Sequence, residues 1–472
     1  MKKHTKIVAT ISDQRCSEDH LRELFEAGMS VVRINTAHQN LEGSARVVQT
    51  VRNVSDEIAI LIDTKGPEMR TTVARDPIEV AAGELIDVIG NPDLPSVPGR
   101  ISVTYSGFVQ DLSVGNRILI DDGDIELVVL AKSEGILKCK ATNQGIIKSR
   151  KSVNVPGVSI ELPSLNEKDR DYIRFAIEHD IEFIAHSFVR RKEDVFAIQE
   201  VLKENHSKIK IIAKIENQEG VDNIEEILNH VYGIMVARGD LGIEIPAEKI
   251  PGIQRMLISA CIKRKKPVII ATQMLHTMIE HPRPTRAEIS DIANAIYSGT
   301  DALMLSGETA YGAYPVESVR TMTRVALEVE GSKESTGITI SSIDNEIAAF
   351  LANAAFNASR DLKTGAVIID TLTGRTGRYM AAFRNQNPVF AACYSKRVMR
   401  ELALSYGVFP FYVDPKETTD SFKRSVTSHL LDQGDISPDE RVVLVGGSFG
   451  PRKGASFIEI SKVSDLLNSL QS

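Results

Sequence analysis

Eight short runs of β-branched and apolar residues recur along the chain: KIVATI from Lys6, VVRIN from Val31, IAILID from Ile58, FIAHSF from Phe183, IIAKIE from Ile211, GIMVAR from Gly233, VIIATQ from Val268 and ALMLSG from Ala302. Between most of them lies an amphipathic segment of helical length, such as SEDHLRELFEAG, VDNIEEILNH or IPGIQRMLISACIKR. Strand followed by helix, repeated, gives a parallel sheet, and eight such units can close into a (β/α)8 TIM barrel. In that fold chemistry gathers where the strands end.

The alternation fails between Asp63 and Glu161. Short strands with turn residues take over there, clearest in RILIDDGDIELVVL, where Asp122-Gly123 favours a hairpin. An inserted small β-barrel domain after the third barrel strand is expected, at the catalytic end. Ser164 to Glu167 and Thr285 to Glu288 fit capping boxes that start helices. After Glu330 the run GSKESTGITISS is a plausible linker, and beyond it helix and strand alternate again in a C-terminal open α/β sheet domain. The expected division is 1–68 with 159–335 for the barrel, 69–158 for the insert and 341–472 for the last domain.

A chain of 472 residues is too long for one core, so several domains are expected. The net charge of −7 supplies no basic field for nucleic acid or an anionic membrane, and a phosphate ligand must be met by local charge. The four cysteines, Cys16, Cys139, Cys261 and Cys393, are far apart and read as free thiols in a reducing compartment. The N-terminus lacks the apolar core of a signal peptide, and no run approaches the ~20 apolar residues of a membrane span. A cytoplasmic protein is expected.

Residues 211–246 carry the densest chemistry. Lys214 and Glu216 stand at i and i+2 on one strand, so both leave its same face. The next strand, GIMVAR, runs into Gly239-Asp240, where a residue without a side chain admits a ligand beside a second carboxylate. Two carboxylates can hold Mg2+ while leaving positions for water and substrate oxygens, and a lysine can neutralise charge on a phosphoryl group. The plain alternative is a salt-bridge network capping two strands. No GxxxxGK[ST] loop is present, so a nucleotide is not held in P-loop fashion. His186 and His276 lie near strand ends without metal-ligand spacing and read as satisfied structural histidines.

The words AKIENQEG and MVARGDLG on successive strands, with VVRINTAH, DTKGPE-x-R, HSFVR, ATQMLHTM and LSGET at other strand ends, resemble the pyruvate kinase family over nearly the whole chain, most closely in the barrel. The resemblance implies transfer of the phosphoryl group of phosphoenolpyruvate to ADP, giving pyruvate and ATP. It implies that Lys214 faces the phosphoryl group in flight and that Arg33 forks onto phosphate oxygens. Glu216 and Asp240 match ligands of Mg2+ (or Mn2+), and Gly239 the backbone beside the substrate. Thr272 matches the threonine where the enolate is protonated, ordering a water relay. Asn35, Asp63 and the Thr64 carbonyl match the K+ site. Asn35, His38, Arg70 and Lys151 match nucleotide-binding positions. Ser187, Phe188, Ser306 and Glu308 shape the pocket.

Two departures stand out. Ala37 replaces the serine whose hydroxyl completes the K+ shell, although Glu68 matches the K+-requiring branch. SDQR from Ser12 replaces the usual Gly-Pro after the first strand. In the last domain TLTGRTGR resembles the loop for a phosphorylated allosteric effector, with Thr371, Thr373, Gly374, Arg375 and Thr376 in matching places. Leu372 stands where some fructose-bisphosphate-responsive members have lysine, and GGSFGPRKGAS has no Trp, so a sugar monophosphate or nucleotide stands level with fructose bisphosphate. The resemblance also implies a homotetramer, with PRPTRAE near a subunit interface. The alternatives are an Mg2+-dependent enolate-forming lyase or aldolase on a similar barrel, and a non-catalytic phosphometabolite sensor.

Overall fold

The computed structural model describes residues 2–332, 340, 345–416, 418–447 and 454–468. The eight strands Lys6–Thr10, Val31–Asn35, Ala59–Asp63, Phe183–His186, Lys210–Ile215, Gly233–Ala237, Val268–Ala271 and Ala302–Leu305 form a closed parallel barrel in chain order. The seam closes where Lys6 pairs with Ala302 and Val8 with Met304. Alternate residues of each strand face inward, as Val8, Leu61, Phe183 and Met235 do, while Ile7, Ile60, Ile184 and Ile234 pack outward against the helices. Burial on both faces is why the runs read as continuously apolar.

Several strands stop before their sequence runs do. Glu216, Arg238, Thr272 and Ser187 each lie just past the last ladder residue, free of the pleat. Arg238, Gly239 and Asp240 open a short helix, Arg238–Glu244, so Asp240 sits in a first helical turn instead of a strand end. A first turn favours a carboxylate because the helix dipole is positive there.

Helix starts and stops follow local chemistry. Ser17 caps Glu18–Ala27 by accepting from the His20 N–H, and Gly28, at φ 117°, ends it in the left-handed region. The capping box at Thr285 and Glu288 is present. The one expected at Ser164 and Glu167 is not: Asn166 caps Glu167–Glu178, with Asp169 completing the box. An N-cap must directly precede the first helical residue, and asparagine serves there as well as serine.

The insert is a six-stranded sheet beside a two-stranded one, a partial barrel. Its hairpin at Asp122-Gly123 has a four-residue loop between Ile120 and Ile125, with Asp121, Asp122 and Gly123 all at positive φ. It leaves the barrel after the third strand and returns through Glu167–Glu178, so it stands over the strands' C-terminal ends. The last sheet runs Val408–Tyr412, Val389–Cys393, Ala366–Thr371, Arg441–Gly446, Phe457–Lys462, parallel except for the final strand. Most of the linker after Glu330 and much of the GGSFGPRKGAS loop lie outside the described residues.

This last sheet's domain closes the opposite end of the barrel. Ala403 and Leu404 join the barrel's interior core. Two buried acids that precede strands take its arginines: Asp301 pairs with Arg384 at 2.7 Å, and Glu182 with Arg400 at 2.5 Å. The four cysteines are free thiols. Among the described residues no helix is long and apolar enough to cross a membrane.

Candidate active site

At the C-terminal rim of the barrel Lys214 is the centre of a compact charged group. Its ammonium lies 3.0 Å from Glu216 Oε1 and 3.1 Å from Asp63 Oδ1, and it donates to Ser187 Oγ at 2.7 Å. All four residues are at the ends of neighbouring strands. Burial alone would depress the lysine's pKa, but the carboxylates of Asp63 and Glu216 outweigh it and push the value above that of a free lysine. The ammonium is therefore permanently charged at neutral pH.

Glu216 is held from two sides, by Lys214 on one oxygen and by the Phe188 N–H on the other at 2.6 Å. Burial raises its pKa to about 7, against the pull of Lys214, and the nearby Asp240 charge adds to the rise. Asp240 is half-buried, lines the cleft between barrel and insert, and has no hydrogen-bond or ion-pair partner among the described residues. A divalent ion fits this pair: it would satisfy a partnerless carboxylate and relieve a buried one. Among the described residues no cluster of three or more His, Cys, Asp or Glu forms a full metal cage. Two carboxylates suffice for an ion that keeps water and substrate oxygens in its shell.

Arg33 is already engaged. Its Nε and Nη2 lie 2.7 and 2.6 Å from Asp63 Oδ2, and Nη1 donates to Thr10 Oγ1 at 3.0 Å. A buried guanidinium requires such a counter-charge, and Asp63, held below the usual carboxylate range against its burial by Lys214 and Arg33, supplies it. Arg33 has five N–H donors, so two remain for an anion. Neither Thr10 nor its contact with Arg33 was legible in the sequence, because the two meet only through the register of adjacent strands.

Asn35 and Asp63 are ladder partners. Asn35 Oδ1 accepts from the Ala37 N–H at 3.1 Å, and the Thr64 carbonyl accepts from Ser187 Oγ at 2.6 Å. Ser187 thus ties the Thr64 carbonyl, one of the oxygens expected around K+, to Lys214. Gly66, at φ 71°, has no room for a Cβ, which would meet Ser187 Cβ at 2.7 Å. Asp169 accepts from the Lys65 N–H at 2.9 Å and so ties this loop to the helix that follows the insert. That role was not anticipated; its signal is the Asn166-x-x-Asp169 spacing.

Thr272 and Gln273 follow the seventh strand at φ 67° and 55°. A β-branched residue with positive φ is strained, and strain of this kind collects at functional sites. Thr272 Oγ1 accepts from the Gly239 N–H and donates to the Ala271 carbonyl, at 2.8 and 2.7 Å. A Cβ on Gly239 would make only ordinary contacts with Thr272, so the protein itself does not demand glycine there. Arg238, also unanticipated, donates to the Thr272 carbonyl at 2.6 Å and pairs with Asp291. Glu308 is buried and accepts from the N–H groups of Ser306 and Leu275, joining two strand ends.

The nucleotide candidates fall into two places. Arg70 and Lys151 are close together where the insert joins the barrel, Arg70 paired with Glu68 at 2.6 Å and Lys151 with Asp121 at 2.8 Å. The cleft beside them, about 310 Å3, is lined by Glu68, Asp122, Ser152, Asp240 and Glu244. His38 stays apart and exposed on the turn after the second strand, its N–H on the Asn35 carbonyl. The effector candidates lie in the other domain, where Thr371 Oγ1 accepts from Gly374 N–H at 2.9 Å and Gly374, at φ 73°, leads into helix Arg375–Ala382 with Thr376 in its first turn. The Thr373 carbonyl accepts from Arg378.

His186 differs from expectation. It is fully buried, and among the described residues neither ring nitrogen makes a hydrogen bond of ordinary geometry, although the Asp194 backbone lies near enough to act on the ring. Burial lowers its pKa to about 4, so the ring is neutral. It faces outward from its strand and not into the site.

Residues 2–319 match the family model described as "Pyruvate kinase, barrel domain", and residues 350–461 match "Pyruvate kinase, alpha/beta domain". Among curated proteins, the pyruvate kinase of Borreliella burgdorferi is 47% identical over 472 residues, 98% of each chain. That of Geobacillus stearothermophilus is 44% identical over 99% of this chain and 81% of its own length. A solved pyruvate kinase from Cryptosporidium parvum superimposes with a TM-score of 0.93 at 33% identity, covering 98% of this chain and 96% of that one.

Proposed function

The chain belongs to the pyruvate kinase family, and from that premise we infer how its own residues carry out the reaction. It is a phosphotransferase that moves the phosphoryl group of phosphoenolpyruvate to ADP, giving pyruvate and ATP. The family is generally metal-dependent; Mg2+ or Mn2+ on Glu216 and Asp240, and K+ near Asn35, Asp63 and the Thr64 carbonyl, are our proposal. When bound, the divalent ion neutralises part of the negative charge on the substrate's carboxylate and phosphate.

Lys214 meets the charge that spreads over the migrating phosphoryl group, a contribution of ~3 kcal/mol for one well-aimed donor in a water-poor site. The observation that carries this reading is the convergence of Lys214, Glu216 and Asp63, which keeps the ammonium charged and fixed in place. The free donors of Arg33 hold the phosphate oxygens before and during transfer. Gly239 lies beside the substrate. Thr272 orders the water that protonates the enolate left behind, since a hydroxyl alone is too weak an acid.

Residues 69–158 act as a lid, bringing Arg70 and Lys151 onto the nucleotide phosphates, with Asn35 and His38 at the opposite wall. Both cations exchange their present acid partners, Glu68 and Asp121, for phosphate oxygens. Residues 341–472 bind a phosphorylated effector at Thr371, Thr373, Gly374, Arg375 and Thr376 and contribute contacts to a homotetramer in the cytoplasm. Initial rates against phosphoenolpyruvate test the scheme, measured with and without Mg2+, Mn2+ and K+, then with sugar phosphates and AMP. Rates that do not change when K+ or the divalent ion is withdrawn overturn the cation assignments.

A further inference from the structure

At the base of the barrel, opposite the face that carries Lys214, a cleft of about 700 Å3 opens between helices Lys192–Glu204 and Ile224–His230. Its wall carries Lys203, Lys210, Lys266, His206 and His230 and, among the described residues, no carboxylate. The chain as a whole has seven more acids than Lys and Arg together, so this gathering of three lysines and two imidazoles is a local feature. Basic groups gathered on one wall raise the local potential and attract anions.

Helix C-termini attract positive charge by themselves, and two groups already serve the end of Ile224–His230. Gln199 Nε2 donates to the His230 carbonyl at 2.8 Å, and Lys266 to the Val231 carbonyl at 2.5 Å. Lys203 and His206 remain, exposed at the rim and without a carboxylate partner among the described residues. His206 adopts φ 51° in the turn that ends its helix, a conformation in which glycine or asparagine is cheaper. Ser207 and Asn229 add neutral hydrogen-bonding groups beside it.

We propose that this cleft is an anion-binding site for a phosphate dianion, free or carried as a small monoester, away from the catalytic cleft and neighbouring the Thr371–Thr376 loop, whose Thr373 carbonyl accepts from Arg378, the guanidinium lying over the cleft's Tyr232 ring. Its position gives the anion something to act on. Lys210 reaches across to Glu401 at 3.7 Å, and the Tyr232 hydroxyl donates to the Glu401 carbonyl at 3.1 Å. Glu401 belongs to helix Lys396–Leu402, whose Arg400 pairs with the buried Glu182 under the barrel. A dianion that draws Lys210 away leaves Glu401 to Arg397, 3.2 Å away, and so changes how the last domain grips the barrel base.

The test is equilibrium dialysis of the full chain against inorganic phosphate, glucose 6-phosphate and AMP. Three proteins are compared: the unaltered chain, the double variant Lys203→Glu with His206→Glu, and an effector-loop variant, Thr373→Ala with Thr376→Ala. Circular dichroism melting establishes that each is folded, and a second double variant, Lys203→Arg with His206→Lys, restores the charge. The charge-reversed chain should bind at least one of the three anions tenfold more weakly, with recovery in the charge-restored chain and retention in the loop variant. Preference for an ester or for inorganic phosphate identifies the source of the phosphate, and either supports the site. Equal binding by the charge-reversed chain, or loss only in the loop variant, overturns it.

Discussion

The Lys214 ammonium and the Ser187 hydroxyl are joined by a 2.7 Å hydrogen bond, and the same hydroxyl donates to the Thr64 carbonyl at 2.6 Å. Ser187 thus links the lysine assigned to the phosphoryl group with the oxygens assigned to the monovalent cation. Ser187→Ala should lower kcat about tenfold, the loss expected for one hydrogen bond to a charged group worth ~1.5 kcal/mol. K+ activation should weaken with it. Steady-state rates over a K+ series check this; a variant with normal kcat and normal K+ response contradicts the link.

Glu216 has a pKa of about 7 because burial opposes its ionisation. A divalent ion requires the ionised form, so binding must displace a proton from the fraction that holds one. Below pH 7 the metal competes with that proton and affinity falls; above it affinity levels off. Calorimetric titration of Mn2+ at pH 6, in two buffers of different ionisation enthalpy, should show proton release, and at pH 8 much less. Identical enthalpies in both buffers at pH 6 contradict the assignment.

Gly66 combines a left-handed backbone, φ 71°, with Ser187 and Phe188 packed against the place a Cβ would occupy. Gly66→Ala should cost about 1–3 kcal/mol through strain and overpacking and should displace the Thr64 carbonyl. Thermal unfolding and the K+ dependence of activity report the two effects separately. A variant as stable and as K+-responsive as the parent chain contradicts the close fit.

Arg384 and Asp301 are both buried where the last domain meets the barrel base. Arg384→Met leaves Asp301 with the Tyr406 and Val268 N–H groups but without a counter-ion. The cost of breaking a buried pair from one side is about 3–5 kcal/mol. Urea unfolding should show that loss, whereas an unchanged midpoint would mean that the Arg384–Asp301 pair adds nothing to the junction.

How much of this was legible in the sequence depends on distance along the chain. The barrel strands announce themselves because both of their faces are buried, and Lys214 with Glu216 is a local pattern that survives even though Glu216 lies just past the ladder. The Arg33 to Asp63 pair is not local. It spans 30 residues and exists because adjacent barrel strands bring the two ends together. The run GIMVAR is uniformly strand-like and predicts Asp240 at a strand end, but the residues after Ala237 turn into a helix once the apolar run ends. The outward, fully buried placing of the His186 ring has no sequence signature, since what surrounds it is decided by helix packing.

The central claim is that the Lys214 ammonium stabilises the phosphoryl group during transfer, and single-turnover kinetics of Lys214→Met test it most directly. Rapid-quench measurement of ATP formed from phosphoenolpyruvate and ADP should show a rate lowered by about 10²–10³, with phosphoenolpyruvate binding changed far less. A transfer rate equal to that of the unaltered chain contradicts the account.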